Sequence, residues 1–231
     1  MNGRGEGSAI IFDLDGTLVD SAPDIAASVR HALSRIGRQA PSLARIRAYI
    51  GNGAERLIHR SLTGDIDGIA DSRLFDSAST HFFAHYAENV CGRCEPYPKV
   101  IDTLRTLIGR GYRLACVTNK PARFTQPLLE KLGLDRFFSI TLSGDSLETK
   151  KPSPEQLLAV AQRCGIAPQY CTMVGDTVTD VLAARNANMP IICVNYGYGD
   201  IAEMVMHNPF AVVETIDQII NLVAEEATAL S

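Results

Sequence analysis

The chain has 231 residues, 46% hydrophobic and 21% charged, with a net charge of -4 at neutral pH. That composition fits one large globular domain, or a domain with an insertion, and the mildly acidic balance argues against a nucleic-acid protein. No apolar run approaches the ~18 residues of a membrane span. The start, MNGRGEGS, lacks a signal peptide's apolar core, so the expectation is a cytoplasmic protein without membrane contact.

Charge is unevenly spread. Seven arginines face one acid, Glu55, between Ile25 and Arg60, whereas six acids and no Lys or Arg follow Asn186; both read as solvated faces. Six cysteines are scattered through the chain, and Cys116 and Cys193 lie inside apolar runs. This usage suits reduced, buried thiols better than a disulfide framework. Cys91-Gly92-Arg93-Cys94 has redox or metal spacing but no second pair, and its place suits a hinge.

Along the chain, Ala9 to Asp20 reads AIIFDLDGTLVD. Ile10, Ile11 and Phe12 form a short apolar run, a buried strand, that ends on Asp13, with Asp15 two residues on and Gly16 freeing the backbone. Two such carboxylates suit a hard cation and a phosphate, because Mg²⁺ takes one or two carboxylates and accepts phosphate oxygens as further ligands. From Asp20 to Cys94 no stretch resembles a buried strand. Ile25, Val29, Ala32, Leu33 and Ile36 recur at helical spacing; further helices are expected over 42–50, 54–62 and 70–89. The expectation is a helical cap, residues 21–94, inserted after the first strand of a core formed by 1–20 and 95–231. His81 and His85, four apart on the last of these helices, read as surface or cap packing.

After Tyr97 helices and strands alternate. Strands are expected at 113–118, 138–142, 172–175, 191–194 and, weakest, 211–213, separated by helices that Gly111, Gly133 and Gly165 terminate. Such alternation means βαβ units and a parallel sheet, hence an α/β, doubly wound, Rossmann-like core. Strand carboxyl ends share one edge, so Asp13, Thr118 and Asp176 should converge there, joined by Lys151 from the loop TKKPSP. Three carboxylates would supply metal ligands and a nucleophile, and the hydroxyl and lysine would hold phosphate oxygens. Asp180, four residues beyond Asp176, could hold a metal-bound water or orient Lys151.

The set Asp13-Leu14-Asp15-Gly16-Thr17, Thr118-Asn119, Lys151-Pro152 and Gly175-Asp176 with Asp180 resembles the four motifs of the haloacid dehalogenase superfamily, over essentially the whole chain. Gly51-Asn52-Gly53-Ala54 and Asn195-Tyr196-Gly197-Tyr198-Gly199 make it similar to the phosphoglycolate phosphatase family within that superfamily. Thr177-Val178-Thr179 departs from the polar residues usual there. The resemblance implies Asp13 as nucleophile and Asp15 as general acid and base. It also implies Mg²⁺ on Asp13, the Asp15 carbonyl and Asp176, with Asp180 beside them, and phosphate held by Thr118, Asn119 and Lys151. In the cap, Gly51, Asn52, Gly53 and Arg56 are the candidates for reading the leaving group, since Arg56 falls in the first turn of a helix whose start favours anions. The expected partner is a small phosphorylated metabolite, acted on by a monomer or homodimer. Asp15 disfavours a dehalogenase; a sugar-phosphate mutase, another small-metabolite phosphatase and a non-catalytic binding module stay open.

Overall fold

The computed structural model describes residue 5 and residues 7–229. The chain opens with β1 (Ala9–Phe12) and a two-residue strand, β2 (Val19–Asp20). Four helices follow: α1 (Ala22–Arg35), α2 (Leu43–Tyr49), α3 (Ala54–Thr63) and α4 (Ser72–Glu88). β3 (Glu95–Pro96) then returns antiparallel to β2, with Val19 opposite Pro96. Alternation begins here: α5 (Val100–Gly109), β4 (Arg113–Val117), α6 (Ala122–Lys131), β5 (Ile140–Leu142), α7 (Glu155–Cys164), β6 (Cys171–Gly175), α8 (Val178–Asn186) and β7 (Ile191–Val194). The chain closes with α9 (Ile201–Val205), β8 (Ala211–Val213) and α10 (Ile219–Ala229).

Six strands form one parallel sheet in the order β5-β4-β1-β6-β7-β8, so β1 lies inside it between β4 and β6. Both faces are covered, which is why its strands read as unbroken apolar runs instead of alternating ones. The pleat sorts their side chains. Ile10, Phe12, Leu114, Cys116 and Ile192 join Val100, Leu104 and Leu107 of α5 and Ile219 of α10 on one side. Ile11, Ala115, Val117 and Met173 pack with Leu157 and Val160 of α7 and Val181 of α8 on the other.

The helical block has a core of its own. Ile25, Val29, Ala32 and Leu33 of α1 form the expected stripe and meet Ile46, Leu57, Phe82 and Tyr86 from the next three helices. Ser42 and Asp71 cap α2 and α4 through their side chains. Phe124 of α6 enters this cluster from across the molecule, edge-on to Tyr86 at a centroid distance of 4.9 Å. His85 packs between helices as expected, stacked on His31 at 4.4 Å and hydrogen-bonded to Ser28 at 2.9 Å.

Three features differ from the sequence expectation. β2 and β3 were not foreseen, because two residues are too short to show a period. The short helix α9 was likewise not foreseen. Cys91 and Cys94 are joined in a disulfide instead of standing reduced: the Gly-Arg turn brings their Cα atoms to 4.7 Å, inside bridging range. Cys116, Cys164, Cys171 and Cys193 are free and buried, as expected. No described helix is long and apolar enough to cross a membrane.

Candidate active site

The carboxyl edge of the sheet collects the reactive residues. Asp13 follows β1, Thr118 follows β4 and Asp176 follows β6, all buried. Lys151 arrives from the loop before α7 and is 2% exposed. Its ammonium donates to Asp13 Oδ1 at 2.7 Å, to Asp180 Oδ1 at 2.6 Å and to the Val117 carbonyl at 2.8 Å. Asp180 therefore orients Lys151, one of the two jobs its spacing allowed. Its other oxygen accepts from the Thr177 main chain and hydroxyl at 3.1 and 2.7 Å, capping α8.

Asp176 is held just as firmly. The Thr17 hydroxyl donates to its Oδ1 and the Tyr198 N–H to its Oδ2, both at 2.8 Å. Gly16, at φ +94°, lets the chain pass this carboxylate; a Cβ there would collide with Asp176 Oδ2. The glycine of the DxDGT stretch is thus required by the acid it faces, 160 residues away in sequence.

Asp13, Asp176 and Asp180 bring carboxylate oxygens within 4.8 Å of one another, all buried. Burial raises Asp13 to about 7, with Lys151 opposing and Asp180 adding to the rise. Burial, Asp13 and Asp180 push Asp176 well above the carboxylate range. Burial works against the charge of Lys151, but Asp13 and Asp180 outweigh it and hold the ammonium above the ordinary lysine value. Three carboxylates against one ammonium leave two negative charges. A divalent cation balances that charge, and an all-oxygen donor set suits a hard one. The chain thus carries a divalent-metal site.

Asp15 faces the other way. Its carboxylate accepts from Ser21 Oγ at 2.5 Å and from Lys120 Nζ at 2.9 and 3.0 Å, apart from the acidic triad. Lys120 is 6% exposed and lies 5.0 Å from the centre of the Tyr86 ring. Sequence reading passed over both Ser21 and Lys120. The lysine follows Thr118-Asn119 directly, which was the available signal.

Above Asp13 and Asp15 lies a cleft walled by Thr118, Asn119 and Lys120 from the sheet edge and by Ile25, Leu57, Phe82 and Tyr86 from the helical block. Gly51 and Gly53 line it too, but the loop they belong to is chiefly docked on the sheet edge. Asn119 Nδ2 donates to the Gly51 carbonyl at 2.9 Å and to the Lys151 carbonyl at 2.8 Å, and Asn52 Nδ2 donates to Thr179 Oγ1 at 2.8 Å. Arg56 does not reach the cleft. Its guanidinium binds the carbonyls of Ile66 and Gly68 and pairs with Asp67, because the loop after α3 folds back over it and offers those acceptors. The expectation that Arg56 reads the substrate is therefore corrected.

Known proteins show which family this fold and site belong to. The family model for haloacid dehalogenase-like hydrolases matches residues 8–188, which span every residue of the acidic triad and its lysine. The chain belongs to that family. A phosphoglycolate phosphatase of Nitrosococcus oceani is 42% identical to this hydrolase over 218 residues, 94% of this chain and 97% of the relative. One from Nitrosospira multiformis is 44% identical over 192 residues, 83% of this chain and 85% of the relative. The crystal structure of a predicted phosphoglycolate phosphatase from Haemophilus somnus 129PT superposes with a TM-score of 0.87 at 33% identity, covering 93% of this chain and 97% of the other.

Proposed function

We propose that this hydrolase is a Mg²⁺-dependent phosphatase that converts 2-phosphoglycolate to glycolate and phosphate through an aspartyl-phosphate on Asp13. The observation that carries the reading is the division of labour between two adjacent carboxylates. Asp13 sits in the metal-binding triad on Lys151, while Asp15, two residues on, is held apart facing the leaving-group side of the cleft. The relatives named phosphoglycolate phosphatase supply the substrate.

Asp13 attacks phosphorus and the bond to the alcohol oxygen breaks as Asp15 gives that oxygen a proton. Water then attacks the aspartyl-phosphate, Asp15 accepts its proton, and phosphate leaves with Asp13 restored. The Thr118 hydroxyl, the Asn119 main-chain N–H and the Lys151 ammonium hold the phosphoryl oxygens over which charge spreads. Mg²⁺, bound by Asp13, the Asp15 carbonyl, Asp176 and Asp180, would neutralise phosphoryl charge when present. Residues 21–94 act as a cap over a core of 1–20 and 95–231 and exclude bulk water from the cleft, with Gly51, Asn52 and Gly53 as its docking loop.

Phosphate release from a panel of small phosphomonoesters, with Mg²⁺ and with excess chelator, tests the reading. Phosphoglycolate should give the highest kcat/KM, and chelator should remove the activity. A sugar phosphate isomerised without phosphate release would mean a mutase instead.

A further inference from the structure

The cleft has a mostly apolar roof. Its helical-block side offers Ile25, Leu57, Phe82 and the Tyr86 ring, and no charged side chain. Arg56 is spent on the loop after α3, and Arg47 pairs with Asp20 at 2.8 Å, so neither lines the cleft. Lys150, whose Nζ sits beside Gly53, does not line it either. The charged groups lining the cleft are Asp13, Asp15 and Lys120. An anion on the leaving group therefore meets two carboxylates and one ammonium.

That ammonium is well prepared. Lys120 is fixed at the sheet edge immediately after the phosphate-holding residues Thr118 and Asn119, with its Nζ between the Asp15 carboxylate and the Tyr86 ring. Asp15 delivers a proton to the ester oxygen, so a group bonded to Asp15 stands next to that oxygen. In a two-carbon leaving group the carboxylate lies within one carbon of the ester-bearing carbon, at the same distance range. An ammonium with three protons can hold Asp15 and a second anion together.

We propose that Lys120 is the specificity-determining residue of this enzyme. It binds the carboxylate of a short phosphorylated 2-hydroxy acid while keeping Asp15 aimed at the ester oxygen. This assignment rests on the phosphoglycolate reading above. It selects substrates whose anion lies one carbon from the ester-bearing carbon, because Lys120 is anchored at both ends and cannot follow a longer chain. It also fits a roof that brings no charged side chain, since the carboxylate of the leaving group is taken up on the core side.

The test compares 2-phosphoglycolate with ethyl phosphate, which carries a methyl group in place of the carboxylate, on wild type, Lys120→Met and Lys120→Gln. Both variants will lose some activity on both substrates through Asp15, so the readout is the ratio of the two kcat/KM values. The ratio should fall about tenfold to a hundredfold in Lys120→Met, the scale of a charged hydrogen bond. Lys120→Gln, which keeps a donor toward Asp15 and so a second chance to fold, should lose the ratio as well. Lys120→Arg should retain part of it. If wild type prefers phosphoglycolate and both neutral variants keep that preference, Lys120 acts on Asp15 alone and the assignment is overturned. If wild type shows no preference, the phosphoglycolate reading itself has failed, and Lys120 loses its ligand with it.

Discussion

The side-chain amide of Asn52, in the loop between α2 and α3, donates to the hydroxyl of Thr179 at 2.8 Å, and Thr179 directly precedes Asp180 on α8. A residue of the helical block is thus bonded to the neighbour of an acid that orients Lys151. The tripeptide Thr177-Val178-Thr179, a departure from the family pattern in sequence, supplies both the cap of α8 and this dock. Asn52→Ala should leave the melting temperature nearly unchanged, since the loop is partly exposed. It should lower kcat/KM by about fivefold, the scale of one hydrogen bond between the helical block and α8. A loss of stability with unchanged kinetics per folded molecule would show the bond to be structural only.

The two aspartates of the opening motif should separate by leaving group. Asp13→Asn should abolish turnover with every substrate, and mass spectrometry of rapidly quenched wild type should find phosphate on Asp13 alone. Asp15→Asn should depress phosphoglycolate hydrolysis strongly and p-nitrophenyl phosphate less in its first step, because a nitrophenolate leaves without a proton. An equal loss on the two substrates in single-turnover burst measurements would remove Asp15 from its role as acid.

Metal and pH are linked through the acidic triad. The Asp13 carboxyl in the folded, metal-free protein titrates near 7 against an ordinary 3.8, and Asp176 shifts the same way. A carboxyl raised on folding binds its proton more tightly in the native state. Its contribution to stability is complete below the ordinary value and is lost as pH rises through the folded value. Chelated protein should therefore lose stability, and melting temperature with it, as pH rises from about 4 to about 7, and change little through Asp13 above that. Mg²⁺ removes the repulsion, so the melting-temperature gain on adding it should grow over the same interval. A gain independent of pH would mean that the metal does not sit among these carboxylates.

The parallel sheet and its reactive edge were legible because both leave local marks. Apolar runs such as IIF and RLACV end on polar residues, and parallel order places all those ends together. The partner of Lys120 was not legible, because nothing in local pattern encodes its contact with Asp15 across 105 residues; Ser21, only six residues from Asp15, was passed over as well. Arg56 misled for a related reason. Its place at a helix start was read correctly, but an arginine bends to whatever carbonyls the next loop presents, here Ile66 and Gly68. Cys91 and Cys94 were misjudged from the average cysteine of the chain, whereas their own two-residue turn decides their chemistry.

The two crossings between the sheet and the helical block are fastened by different residues, and the second makes the sharper test. At the outgoing crossing the Tyr198 hydroxyl accepts from the Ser21 and Ala22 N–H groups at 2.8 and 3.0 Å and donates to Asp20 at 2.8 Å, its full capacity. At the returning crossing the buried Asp24 carboxylate, in the first turn of α1, accepts from the N–H groups of Arg93 at 2.9 Å and Cys94 at 2.9 Å. Asp24 thereby ties the start of α1 to the segment that leads into β3. Asp24→Ala removes an acceptor from two main-chain donors, one of them on a buried residue, at a cost of about 2–4 kcal/mol. Asp24→Asn keeps one acceptor oxygen and the side-chain shape but loses the charge, so about half that cost is expected. Urea unfolding at neutral pH measures both, and an unchanged m-value would show that the same cooperative unit is being weakened. Should Asp24→Ala unfold within ~0.5 kcal/mol of wild type, the range of ordinary surface substitutions, the carboxylate is not what holds the returning strand in place.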